Sequence, residues 1–256
     1  MNTERELTAQ TIKARDIEAS VYDKNQEEIK SKWFIMLEKY LIRKWLRISK
    51  DDYIVDAGCG TGRHTVGLLR RKCNVFSVDM SMESLRILKD KNVNAQCVLA
   101  NVAEIPFKSN SIDKIICNGV LQHIPELTCK SAVREFHRIL KLKGDLVFTV
   151  WNSYWPESKR LPKEGLFQSG IYFRTFDRKS LLALCRDAGF DNIEIRGYGF
   201  FFLFTRLSIR GLYRIYKTFP ILTFLIDPIL WKLSFIPFIG KYPIYFMVKC
   251  RKPQPS

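Results

Sequence analysis

The segment Tyr53–Ile54–Val55–Asp56–Ala57–Gly58–Cys59–Gly60–Thr61–Gly62 constrains this chain more than any other. It reads as a short β-branched strand with an acid near its end, followed by glycines at three alternate positions that open a helix. Glycine tolerates positive φ and lets a ligand approach bare peptide N–H groups. The spacing decides between readings. A dinucleotide-binding turn, G-x-G-x-x-G, would place its third glycine at Arg63; here it falls at Gly62, giving Asp-x-Gly-x-Gly-x-Gly. A nicotinamide oxidoreductase therefore fails at Arg63, whereas a strand–turn–helix opening an α/β sheet remains.

The pattern downstream agrees. Strand-like runs at Tyr53–Ala57, Asn74–Asp79, Ala95–Leu99, Ile112–Asn118, Asp145–Trp151 and Asn192–Gly197 alternate with helical runs at Gly62–Lys72, Met82–Asp90, Cys129–Leu140 and Asp177–Ala188. Such alternation predicts a parallel sheet covered on both faces. Upstream, residues 1–50 read as a helical cap, with Trp33, Leu37, Tyr40, Leu41 and Trp45 at helical spacing from about Ser31 to Arg47. Residues 51–199 form the core, 200–240 a basic aromatic helical insertion, and 241–256 the last strand and tail. The fold expected is α/β, a Rossmann-like, seven-stranded, mostly parallel sheet with a helical insertion before its last strand.

At 256 residues and 46% hydrophobic content the chain can bury a substantial core. Its N-terminal stretch is polar and carries no secretory pattern. Seven cysteines without a C-x-x-C pair imply reduced thiols and a cytosolic setting. Cys117, His123 and Cys129 make an unconvincing zinc set, so no metal is expected. The formal charge of +16 is concentrated late in the chain: from Arg196 to Lys252 ten Lys/Arg stand against the single acid Asp227. That excess implies an anionic partner, nucleic acid or a lipid surface.

In an open α/β sheet, ligands sit at the carboxyl ends of the strands. The first strand delivers the glycine turn, the second Asp79–Met80, the third Asn101–Val102, and the fourth Asn118–Gly119–Val120–Leu121–Gln122–His123–Ile124. These four elements, in this order and spacing, resemble class I S-adenosylmethionine (SAM)-dependent methyltransferases, in particular those of ubiquinone and menaquinone biosynthesis, from about Tyr22 to Asp191. The resemblance implies SAM as cofactor. It counts Asp56 among the cofactor-binding residues and assigns the methionine part to the turn that follows it, at Gly58, Gly60 and Gly62. Ribose goes to Asp79, with Met80 against adenine, and the adenine edge to Asn101 and the Val102 N–H. Asn118 lies near the methionine, and Tyr22–Asp23 resemble the pair that covers the cofactor. Asn101 departs from the family's usual Asp, but its carbonyl still accepts a hydrogen bond.

Methyl transfer from a sulfonium asks mainly for positioning. Where the acceptor must lose a proton, His123 suits a base near neutral pH, against the alternative of a packing histidine. His64 reads as a surface or helix-end residue and His137 as structural. In the insertion, Arg206, Arg210, Arg214 and Lys217 share one helical face opposite Ile209, Leu212, Tyr213 and Tyr216, and the longest uncharged run, Thr218 to Ile226, is too short to span a bilayer. A basic amphipathic helix suits an anionic membrane surface, while a lid over the active site is the alternative.

The leading expectation is therefore methyl transfer to a lipophilic or membrane-proximal small molecule, by a cytoplasmic protein peripheral to the inner face of a membrane. A second is tRNA methylation. Val120–Ile124 and Phe148–Trp151 also resemble the enzymes that methylate carboxymethyl-uridine at the wobble position, and the charge fits RNA. A third is a non-catalytic methyltransferase-fold scaffold, favoured only by Asn101.

Overall fold

The structure is a computed structural model that describes residues 2–30, 32–92, 94–154, 162–200, 222–234, 236 and 243–254. Two N-terminal helices, α1 (Asn2–Lys30) and α2 (Lys32–Leu46), precede β1 (Tyr53–Ala57), α3 (Thr65–Leu69), β2 (Asn74–Asp79), α4 (Met82–Lys91), β3 (Gln96–Leu99), β4 (Ile112–Asn118), α5 (Glu126–Ile139) and β5 (Leu140–Trp151). A short hairpin, β6 (Glu164–Leu166) and β7 (Tyr172–Arg174), then leads to α6 (Arg178–Asp187), β8 (Asp191–Tyr198), α7 (Leu222–Leu233) and β9 (Tyr245–Arg251). The basic helical face expected at Arg206, Arg210, Arg214 and Lys217 lies outside the described residues, as do Pro220 and Pro237.

Seven strands form one sheet in the order β3-β2-β1-β4-β5-β9-β8. β1 to β5 run parallel, and β9 is antiparallel to both its neighbours. The order reverses between β1 and β4, the place where such sheets open a crevice at their carboxyl ends. Strand alternation sorts the core into two layers. On one face Val55, Ile115, Cys117, Leu146, Phe148 and Val248 pack with Val133, Phe136 and Ile139 of α5 and Leu181 of α6. On the other, Ile54, Ile116, Val147 and Met247 meet Leu37, Leu41 and Leu46 of α2 and Leu68 of α3.

Several elements differ from the sequence pattern, α3 among them, which spans Thr65–Leu69 rather than Gly62–Lys72. α5 begins at Glu126 because Pro125 takes the N-cap position, where its missing N–H is no loss. β5 starts at Leu140, directly after the helix, with a register shift against β4 between Ile112 and Lys114. The β6–β7 hairpin has strands of three residues each, too short for a periodic signal.

The closing strand does more than complete the sheet. Just past β9, the Lys252 ammonium donates to the carbonyls of His137 and Leu140 at 2.7 and 2.9 Å and to Asn110 Oδ1 at 2.8 Å. It thus caps the C-terminal end of α5, where a cation meets the helix dipole and otherwise unpaired carbonyls. Lys252→Met keeps the stem and removes the donor, and is expected to lower unfolding stability by about 1–3 kcal/mol, read as a lower urea midpoint at unchanged slope.

Candidate functional site

The carboxyl ends of β1, β2 and β4 converge on a cleft of about 860 Å³, counting the solvent at its mouth, roofed by α1. Of the residues expected there from sequence, Tyr22, Gly58, Gly60, Asp79, Met80, Val102, Asn118 and His123 line it; Asp56, Gly62 and Asn101 do not.

The three glycines of the turn all have positive φ, at 70°, 52° and 90°, but for separate reasons. A Cβ on Gly58 would stand 2.2 Å from Val120 Cγ2, and one on Gly62 2.4 Å from Leu88 Cδ1, so these two let the turn lie against β4's loop and α4. A Cβ on Gly60 would meet no atom within 4 Å, and the same holds for Gly119 in the turn after the neighbouring strand β4. Bare α-carbons thus line the cleft in two adjacent turns, a cradle that side chains would fill.

Asp79 organises the rim. Its carboxylate accepts from the Gly60 N–H at 2.7 Å and the Ser81 N–H at 2.9 Å, joining the end of β2 to the turn after β1. Burial pushes its carboxyl above the usual range, against the opposing pull of those N–H groups. Ser81 caps α4 by accepting from the Ser84 N–H and donates its hydroxyl to Asp16 of α1 at 2.5 Å.

Asp56 corrects an expectation. It is buried beneath the turn, accepting from the Thr65 N–H and hydroxyl at 3.0 and 2.7 Å, so it anchors the first turn of α3 rather than facing the cleft. Asn101 is also placed differently, since its Oδ1 accepts from the Ala103 N–H at 2.9 Å in an Asx turn while Val102 reaches the cleft. Asp23 takes no place in the lining; it accepts from the Thr61 hydroxyl at 2.6 Å and pairs with Lys91, tying α1 to the glycine turn.

Beneath Asn118 lies a buried network that sequence reasoning missed. Glu38 of α2 is fully enclosed; its carboxylate accepts from Asn118 Nδ2 at 2.7 Å and the Tyr198 hydroxyl at 2.9 Å, and pairs with Arg63 at 3.3 Å. Asn118 Nδ2 also stands 2.9 Å from His64 Nε2, and its Oδ1 accepts from the Thr149 hydroxyl. Both ends of the amide are therefore held. The available signal was an acid on the apolar stripe of α2, between Leu37 and Leu41.

His123 faces the cleft from the turn after β4. Its Nδ1 lies 2.9 Å from the Tyr172 carbonyl, which can only accept, so Nδ1 carries the proton and Nε2 accepts from Gln122 Nε2 at 3.2 Å. The ring meets Trp151 edge-on at 5.3 Å, and Trp151 in turn contacts Phe167 and Phe173 of the β6–β7 hairpin. This aromatic wall also escaped the sequence. The α1 wall was periodic in the sequence, since Thr8, Thr11, Ile12, Arg15, Ala19 and Tyr22 repeat at three- and four-residue steps and all line the cleft. Among the described residues there is no cluster of three or more metal-ligating side chains.

Comparison with known proteins accords with this geometry. Residues 55–148 match the family model of a methyltransferase domain. The chain is 38% identical over 137 residues to an uncharacterized protein of Methanocaldococcus jannaschii, covering 53% of this chain and 49% of that one. It is 25% identical over 186 residues to the demethylmenaquinone methyltransferase of Staphylococcus carnosus, covering 61% and 75% respectively. The solved 1,6-didemethyltoxoflavin-N1-methyltransferase of Burkholderia thailandensis, with S-adenosylhomocysteine bound, shares the fold at a TM-score of 0.60 and 17% identity, over 98% of this chain and 91% of that one. The chain spans about half the length of the archaeal relatives it matches.

Two tests follow from the buried carboxylates. Desolvation raises Asp56 from 3.8 to about 6, against the opposing Thr65 bonds. A raised folded-state pKa means the native state binds the proton more tightly, so this group's contribution falls as pH rises from about 4 through about 6. Asp56→Asn is expected to remove that part of the pH dependence, measured by urea unfolding across the window. Glu38→Ala strands the Arg63 guanidinium, itself 14% exposed, and is expected to cost about 3 kcal/mol by the same assay.

Proposed function

We propose, for a chain that carries a class I SAM-dependent methyltransferase domain, that the α1-roofed cleft binds SAM and that the chain transfers its methyl group to a lipophilic small molecule. The observation that supports this best is that Gly60 and Gly119, bare at the ends of neighbouring strands β1 and β4, both line the cleft, with the Asp79 carboxylate at the end of β2 held to the Gly60 N–H. SAM supplies an electrophilic methyl on a sulfonium. The turn at Gly58 and Gly60 would take the methionine end at backbone range, and Asp79 would accept from the ribose hydroxyls. Met80 and Val102 would flank the adenine. Asn118, both ends of its amide held by Glu38 and Thr149, would give the methionine end a rigid wall rather than an adaptable ligand.

The acceptor side is aromatic and apolar: His123, Ile12, Ile124 and Val120 line the cleft, and Trp151 stands behind the histidine. Such a wall suits a flat, greasy acceptor over a polyanion. His123, its Nδ1–H donated to Tyr172, would offer Nε2 as the proton acceptor for a phenol, enol or amine that takes the place of the Gln122 amide on that nitrogen. A membrane-proximal acceptor is further supported by α7, where Ile229 and Leu233 stand exposed one turn apart in the strongly basic part of the chain. No helix among the described residues is long and apolar enough to cross a membrane. The +16 charge also favours a second reading, methylation of a modified wobble uridine in tRNA.

Gly60→Ala separates the cofactor site from the fold. Alanine at φ 52° costs about 1–2 kcal/mol, so the variant still folds, but its methyl enters the cleft. By calorimetry S-adenosylhomocysteine is expected to bind the native chain and to lose at least about tenfold in affinity to Gly60→Ala. No binding to the native chain would leave only the scaffold reading. Salt-dependent binding of total tRNA with no methyl transfer to quinol-like acceptors would favour the second reading.

A further inference from the structure

A second cavity lies on the other side of Asn118 and His64 from the cleft, between α2 and α3 on one face of the sheet. It holds about 300 Å³, counting solvent at its mouth, and Lys39, Arg43 and His64 line it together with Ile42, Ile48 and Leu68. Gly67 leaves the α3 wall bare, since a Cβ there would meet nothing within 4 Å.

The charges in this cavity are arranged against the interest of the isolated fold. Lys39 and Arg43 are four residues apart on α2, the spacing at which like charges repel across one helical turn. Both are half-buried, which adds a desolvation cost. Among the described residues neither side chain has a hydrogen-bond or ion-pair partner. The acids that could have served are engaged: Glu38 with Arg63, Asn118 and Tyr198, and Asp23 with Lys91 and Thr61. Burial and then the charge of Arg71 hold Arg43 below its usual pKa, and burial and then the charge of Arg63 hold Lys39 below its own, although Glu38 and Asp23 pull the other way. Ordinary solvated lysines point away from one another and from apolar walls. Here Lys39, Arg43 and His64 line one concavity with apolar neighbours.

We propose that the cavity between α2 and α3 binds a phosphate group, held by Arg43 and Lys39 and distinct from the cofactor cleft. A forked guanidinium and a mobile ammonium match the several oxygens and double charge of a phosphate monoester better than a single carboxylate would. The apolar floor of Ile42, Ile48 and Leu68 would accept carbon next to the ester oxygen. The phosphate has two sources of the same chemistry, a soluble phosphate and the head group of an anionic lipid.

The test uses the full chain. Inorganic phosphate is titrated by calorimetry at constant ionic strength set with sodium chloride, and one site per chain is expected. The double variant K39Q/R43Q is expected to weaken that binding at least about 100-fold, because two charge-assisted contacts are lost together. Its S-adenosylhomocysteine affinity and thermal melt serve as controls and are expected to stay as in the native chain. Flotation with phosphatidylcholine vesicles, with and without phosphatidic acid, distinguishes the sources. Flotation that needs phosphatidic acid, is lost in the double variant and is displaced by phosphate assigns the site to a lipid head group; calorimetric binding without flotation assigns it to a soluble phosphate. Absence of both, or binding and flotation equal in the double variant, overturns the proposal. None of these outcomes depends on whether the cleft binds SAM.

Discussion

The buried Glu38 carboxylate is the interaction on which the arrangement of the cleft depends. It is carried by α2, yet its partners come from the loop after β1 (Arg63), the end of β4 (Asn118) and β8 (Tyr198). A charge taken this far from water is tolerable only when every lone pair is met, and a partly met one is expensive. That condition holds four segments to one geometry. The helix cannot slide along the sheet, nor the Asn118 amide turn, without leaving a buried charge unpaired. The N-terminal helices are thus part of the same structure as the sheet rather than an appendage to it.

A similar economy governs the rim. Asp79 uses its carboxylate to bind two peptide N–H groups, so the acid that faces the cleft also shapes the turn opposite it. Asp56, one strand away, has the same chemistry and the reverse role: wholly enclosed, it holds Thr65 and never meets the cleft. Two acids at neighbouring strand ends are set apart by a single difference in direction. β1 places Asp56 inside its strand and β2 places Asp79 as its last residue, where the side chain escapes the pleat.

Much of this was legible. The β-branched runs and the glycine turn predict the sheet, and successive strand ends predict Asp79, Val102 and Asn118 in the cleft, because period-2 alternation and strand termini are local properties. Three things were not. The β6–β7 hairpin that backs His123 has strands too short to show a period. The placement of Asn101 follows from a competition between an Asx turn and the cleft that only neighbouring backbone can decide. Glu38 stands out in the sequence only as an acid on an apolar stripe, and its partners Arg63, Asn118 and Tyr198 lie 25, 80 and 160 residues away.

By itself, then, the order of residues determined the layered α/β architecture and the glycine turn at 58–62, since hydrophobic period and backbone freedom at glycine act within a few residues of one another. Only the tertiary structure decided what each turn glycine is for. Gly58 yields to Val120, Gly62 to Leu88, and at Gly60 alone of the three a Cβ would meet open space, because those distances are set by elements that meet only when the sheet is assembled.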